Sequence, residues 1–175
     1  MIITAKNLSN KVPAIIALDP SSTAIGYAVL GQIDGGLIDA GLITPDRKTH
    51  PPLVRILAML EELTLLICET EPEAVVIEVT SGKVGKRHKG KGAGLAVYGM
   101  AVGAVWQLCR SVEFLEVAPV LENDWTDGKG KSKRLSLLCA MEPKYKRERD
   151  PGGDVGDAIG LGRWWLARQP KAGGH

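Results

Sequence analysis

The stretch EPEAVVIEVTSGKVGKRHKGKG, residues 71–92, decides how the chain folds. Pro72 closes whatever helix precedes it. Ala74–Val79 is then a run of small and branched apolar residues, broken only by Glu78, the pattern of a central strand buried on both faces. A carboxylate near the end of such a strand is costly unless it is paired or bound to a cation. Directly after it come Lys83, Lys86, Arg87, Lys89 and Lys91, a composition that attracts anions.

Upstream, AIIALD (14–19) reads as a buried strand and STAIGYAVL (22–30) as its hairpin partner across the PSS turn. GLIDAGLI (35–42) makes a third strand after the glycine-rich turn at 31–36. PPLVRILAMLEELTLLICETEP is helical, with Leu53, Ile56, Leu57, Leu60, Leu63 and Ile67 at helical spacing and prolines at its start. Downstream, the spacing predicts a Gly/Ala-rich helix over about 93–110, a fifth strand at VEFLEVAP (112–119) and a polar connection at ENDWTDGKGK. A short helix at SKRLSLLCAM follows with Ser132 as N-cap, then the charged loop PKYKRERDPGG. A last helix opens near Gly153–Asp154 and runs through AIGLGRWWLAR. Residues 1–175 are read as one domain, with an ordered core at about 14–168 and a flexible tail at 169–175.

A three-strand meander followed by a helical crossover requires an α/β fold with a mixed sheet. The crossover should be right-handed and bring the fourth strand parallel to one of the first three. If that neighbour is the first strand, Asp19 and Glu78 lie side by side at the carboxyl edge, where open α/β sheets place their sites.

Charge is distributed unevenly. The net charge is only +2, but residues 1–78 hold five Lys/Arg against ten Asp/Glu, and no acid occurs between Glu78 and Glu113. This asymmetry points to a polyanionic partner. Cys68, Cys109 and Cys139 lie far apart in apolar segments, as buried, reduced thiols of a cytoplasmic protein do. The start MIITAKNLSNKVP lacks the apolar core of a signal peptide. The longest apolar run, 93–109, is glycine-rich and short for a membrane span, so a buried helix and no membrane partner are expected.

Two more acids complete a set. In GGDVGDAIGLG, Asp154 and Asp157 stand three apart at a helix start and share one face. Plainer roles exist for each: DPSS is a turn starter, and acids favour helix N-termini. Four converging carboxylates, however, repel one another unless divalent cations sit among them, and hard oxygen ligands suit Mg²⁺ or Mn²⁺. Two such ions can activate a water and stabilise the leaving oxygen in phosphodiester hydrolysis. His50 and His88 are not placed to act as a general base.

These elements resemble the RuvC-like Holliday-junction resolvases of the RNase H/retroviral-integrase superfamily. IIALDPSSTAIGYAVL resembles the family's first strand, aspartate, turn and second strand. PEAVVIE resembles its strand ending in glutamate, and DVGDAIGLG its closing Asp-x-x-Asp helix. The resemblance spans 14 to about 166 and implies an RNase H-like mixed five-stranded sheet with helices on both faces. It also implies a metal-binding catalytic set of Asp19, Glu78, Asp154 and Asp157, with two Mg²⁺ per site and Mn²⁺ as substitute. A homodimer cutting four-way DNA junctions by paired nicks, with 5′-phosphate ends, is implied too, the helix at 93–110 helping to form the interface. The compact size and basic loop resemble the phage-type members. Lys83, Lys86, Arg87, Lys89 and Lys91, with Lys129, Lys131 and Lys133, are the expected DNA contacts. Unlike cellular members, the chain follows its strand glutamate with VTSGK and has no aromatic before Tyr98. Two other readings share the fold: a ribonuclease H acting on RNA–DNA hybrids, and a non-catalytic DNA-binding scaffold. An actin-like ATPase would need two such lobes.

Overall fold

The computed structural model of the chain describes residues 12–45, 51–80 and 92–170. Three antiparallel strands, β1 (Ala14–Pro20), β2 (Ile25–Gly31) and β3 (Leu37–Ile43), form the expected meander. Helix α1 (Pro52–Thr70) crosses over to β4 (Ala74–Val79), which lies parallel to β1, with Ile15 opposite Ala74 and Leu18 opposite Ile77. Helix α2 (Gly92–Arg110) leads to β5 (Glu116–Leu121), parallel to β4. The sheet order is β3-β2-β1-β4-β5. Three helices then close the chain: α3 (Glu122–Thr126), α4 (Lys131–Met141) and α5 (Asp154–Leu166).

The alternation of side chains along each strand divides the core in two. Ile16, Leu18, Val75 and Ile77 face α1 and α2, against Ile56, Met59, Leu63, Ile67, Ala101, Val105 and Cys109. Ile15, Ala17, Ala74, Val76 and Val120 face the other way, against Leu135, Leu138, Val155, Ile159 and Leu161 of α4 and α5. Helices therefore cover both faces, and β1 and β4 are buried along almost their whole length.

Several sequence expectations shift. The fifth strand begins at Glu116, because the preceding turn carries Phe114 at φ +64° and only from Glu116 does the chain pair with Ala74. Pro119 is tolerated there because β5 is an edge strand. ENDWT is a helix rather than a polar connection. Helix α4 starts at Lys131, one residue before Ser132; Gly130 is its N-cap, and the Gly130 carbonyl accepts from the Lys133 and Arg134 N–H groups. Leu53 and Leu57 are exposed, and Met59 takes their place in the buried stripe of α1. Cys109 is buried, whereas Cys68 and Cys139 are exposed on the outer faces of their helices.

Candidate active site

The last β1–β4 pair joins Leu18 to Ile77, so Asp19 and Glu78 occupy the next position on adjacent parallel strands. Their parity puts both on the face of Ala17 and Val76, the side covered by α5. Asp19 also lies opposite Gly26 of β2. A Cβ on Gly26 would sit 2.3 Å from the Asp154 carbonyl oxygen, so the bare glycine lets the first turn of α5 lie directly on the strand. Asp154 and Asp157 thereby come to the edge where Asp19 and Glu78 end, and all four line one cleft of about 420 Å³.

Asp154 and Asp157 do sit in the first turn of α5, where its dipole favours acids, but neither the β1–β2 turn nor the helix start uses a cleft acid as its backbone acceptor. In the β1–β2 turn, the Thr23 and Ala24 N–H groups donate to Ser21 Oγ, at 3.3 and 3.0 Å. At the start of α5, Gly153 adopts φ +79° and the helix has no side-chain cap from its own N-cap position. The capping acceptor is instead Asp150, buried beneath the turn, which takes the Gly153 and Gly156 N–H groups and the Tyr145 hydroxyl at 2.8–2.9 Å. With Ser21 and Asp150 serving the backbone, the four cleft carboxylates are left for other partners.

Those partners are cations and one indole. Lys131 Nζ lies 3.1 Å from Asp154 Oδ1 and 2.9 Å from Asp157 Oδ2. Arg134 donates to Asp157 Oδ1 from Nη2 at 2.9 Å and to the Lys129 carbonyl at 2.7 Å. Trp125 Nε1 donates to Glu78 Oε2 at 2.8 Å. Burial pushes the Asp19 carboxyl well above the usual carboxylate range; the charges of Glu78, Asp154 and Asp157 push the same way and Lys131 opposes them. Burial likewise raises Glu78 to about 7, against the Trp125 N–H, with Asp157 and Glu122 adding to the rise. The cleft thus holds a carboxylate cluster short of positive charge, in which Lys131 and Arg134 pair directly with the α5 acids and offset Asp19 and Glu78 only in part.

Of the other sequence candidates, Lys129 and Lys131 line the cleft, and Lys133 is exposed on α4 outside it. Lys129 also pairs with Asp127 at the surface. Lys83, Lys86, Arg87, Lys89 and Lys91 lie outside the described residues, as do His50, His88 and most of the tail. Neither Arg134 nor Lys131's pairing is marked in the sequence, because α4 reaches the acids only through its packing on α5. Nothing in ENDWTDGKGK marks Trp125 as a partner of Glu78. Tyr98, Thr80, Glu122 and Asn123 also line the cleft. Tyr145 is buried and donates to Asp150. Among the described residues no three His, Cys, Asp or Glu side chains are drawn together at ligating distance. None of the described helices is long and apolar enough to cross a membrane.

At the level of sequence, neither a family model nor a curated protein matches the chain. Its fold, in contrast, has clear counterparts. Thermus thermophilus RuvC in complex with a Holliday junction substrate superposes with a TM-score of 0.65 at 15% identity, covering 87% of this chain and 92% of that one. The fowlpox virus resolvase in complex with substrate Holliday junction DNA gives 0.54 at 12%, covering 88% and 97%. The yeast mitochondrial Holliday junction resolvase gives 0.54 at 10%, covering 89% and 79%. The chain therefore has an RNase H-like α/β fold. Within that class, it has the arrangement seen in RuvC and other Holliday junction resolvases.

Proposed function

We propose that the protein is a structure-selective endodeoxyribonuclease that binds branched DNA and cuts four-way junctions by paired nicks. The observation that carries this reading is the meeting of Asp19, Glu78, Asp154 and Asp157, from three separate elements, in one cleft edged by Lys129, Lys131 and Arg134. The fold supports it, since structures of the same arrangement hold junction DNA.

The donor set is all oxygen, partly desolvated and mutually repelling, which fits Mg²⁺ with Mn²⁺ as substitute. Two such ions held by these four carboxylates would supply an activated water and a stabilised leaving oxygen, leaving 5′-phosphate ends. Lys131 acts as counter-charge for Asp154 and Asp157 while no cation is bound. Lys129, Lys133 and the basic residues Lys83, Lys86, Arg87, Lys89 and Lys91 hold the phosphate backbone, fixing orientation without reading sequence.

A homodimer places two such sites on opposing strands. An apolar groove of about 410 Å³ beside the cleft, lined by Val79, Tyr98, Val102, Trp106 and Pro119, supports α2 as its interface. Added Cβ atoms at Gly99 and Gly103 would meet nothing within 4 Å among the described residues, so packing among those residues does not account for the glycines. Sedimentation showing only monomer at micromolar concentration would remove the dimer.

The ion pairs to Asp154 and Asp157 favour a second reading, a non-catalytic junction-binding protein whose lysine and arginine permanently neutralise the site. One experiment separates the two: a labelled four-way junction is incubated with Mg²⁺ or Mn²⁺ and wild type or Glu78→Gln. Paired nicks from wild type, lost in the variant with binding retained, are expected. A junction that is bound but never cut establishes the second reading, and one neither bound nor cut overturns both.

A further inference from the structure

We propose that Trp125 is a positioning residue for Glu78, and that its indole couples the β4 carboxylate to Asp157 on α5 through Arg134. The inference rests on the nuclease reading and adds a residue that neither the sequence motifs nor the acid set contains. Trp125 belongs to α3, a five-residue helix directly after β5. Its Nε1–H donates to Glu78 Oε2 at 2.8 Å between two buried side chains. An indole can only donate, so Glu78 Oε2 is the acceptor and the bond cannot invert as one to an amide could. It engages one oxygen of the pair and leaves the second to other partners.

The ring itself is held by two further contacts. A Cβ at Gly160 would stand 2.9 Å from ring carbon Cζ3, so α5 keeps a bare position where the indole passes. Arg134 also lies over the ring, 4.9 Å from the centroid, in a cation–π contact. The same guanidinium donates to Asp157 Oδ1 from both Nε, at 3.2 Å, and Nη2, at 2.9 Å. Trp125 therefore touches Glu78 directly and Asp157 through one intermediate. A packing role alone would need the ring but not the N–H, and a phenylalanine would serve it. Partners that orient ligating side chains in this way change metal affinity or activity by about 10- to 100-fold when lost.

The test replaces Trp125 with 3-benzothienylalanine, which keeps the bicyclic shape and puts sulfur where the N–H was, with Trp125→Phe as an encoded companion. Junction affinity in Ca²⁺, the single-turnover cutting rate, the Mn²⁺ midpoint and the Mn²⁺-induced change in tryptophan emission are measured, with near-ultraviolet circular dichroism as the fold check. Expected are a folded protein, junction affinity within about twofold of wild type, cutting slowed about 10- to 100-fold and a raised Mn²⁺ midpoint. The emission change should be present in wild type and lost in both Trp125→Phe and Glu78→Gln. If the wild type cuts and the sulfur analogue cuts equally well with the same midpoint, the positioning role is overturned and the nuclease reading stands. If the wild type does not cut, the nuclease reading falls, and the emission titration decides the positioning role alone: no Trp125-dependent response overturns it.

Discussion

Lys131 Nζ bridges two acids of one helix turn, 2.9 Å from Asp157 and 3.1 Å from Asp154. Asp157 is the more buried partner, with a side chain only 4% exposed. Removing the ammonium leaves a buried carboxylate beside three others, with Arg134 as its remaining cationic partner. Lys131→Gln is therefore expected to lower the melting temperature in EDTA by about 2–4 °C, roughly 1 kcal/mol for a half-exposed pair. Mg²⁺ should raise the melting temperature more in this variant than in wild type, because the ion then competes with Arg134 alone rather than with two resident cations. Equal Mg²⁺ shifts in the two proteins would show that Lys131 and the cation do not share the site.

Glu78 and Asp19 make the stability of the metal-free protein depend on pH. Both carboxyls are raised in the folded chain, Glu78 to about 7 from an ordinary 4.5. The folded state then binds protons more tightly than the unfolded state, so stability from these groups is fully present below about pH 4.5 and lost as pH rises through 7. In EDTA the protein should melt at least 2–4 °C higher at pH 6 than at pH 8, about 1 kcal/mol from Glu78 alone. Glu78→Gln should flatten that profile. A melting temperature that rises from pH 6 to pH 8 would contradict the assigned burial of these carboxyls.

Asp150 carries the start of α5. It is 2% exposed and holds two backbone N–H groups and the Tyr145 hydroxyl, while Arg147 donates to its carbonyl. Asp150→Ala strips the Gly156 N–H and the Tyr145 hydroxyl of their acceptor, the Gly153 N–H keeping the Asp150 carbonyl at 3.1 Å, and should cost about 2–4 kcal/mol. Denaturant melts measure this directly. The same substitution at Asp154, whose side chain caps nothing, should cost much less stability while abolishing cutting. A reversal of that order would return Asp154 to a capping role.

Much of this was legible in the sequence because it rests on period and order. The apolar runs at 14–19 and 74–79 and the crossover between them dictate parallel neighbours, and the two-residue repeat then sends Asp19 and Glu78 to the same face. Asp154 and Asp157 follow from helical spacing. What escaped depends on contacts between distant segments. Trp125 and Glu78 are 47 positions apart, and Lys131 and Arg134 are 23 from Asp154 and Asp157 respectively. Nothing in GKGKSKR marks which of its cations turns inward, since that is set by how α4 lies across α5. The ENDWT helix escaped for a related reason: five polar-looking residues carry no period, and only the burial of Trp125 under Gly160 gives the turn a tertiary anchor.

The basic run after β4 should govern affinity rather than chemistry. Lys83, Lys86, Arg87, Lys89 and Lys91 follow the strand that delivers Glu78, with no acid before Glu113 to offset them. Each lysine or arginine that neutralises a phosphate releases condensed counterions, steepening the dependence of log K on log salt by about 0.9. Replacing all five with glutamine should therefore flatten the slope by up to about 4–5 and weaken junction binding most at low salt. Lys133→Gln, at an exposed position on α4, should remove about one more. Cutting measured at saturating enzyme should change far less than affinity, since none of these six is a member of the carboxylate set. Fluorescence anisotropy on a labelled junction between about 50 and 200 mM salt gives the slope. An unchanged slope in the five-fold variant would assign the run to another partner, and an unchanged affinity with lost cutting would move it into the active site.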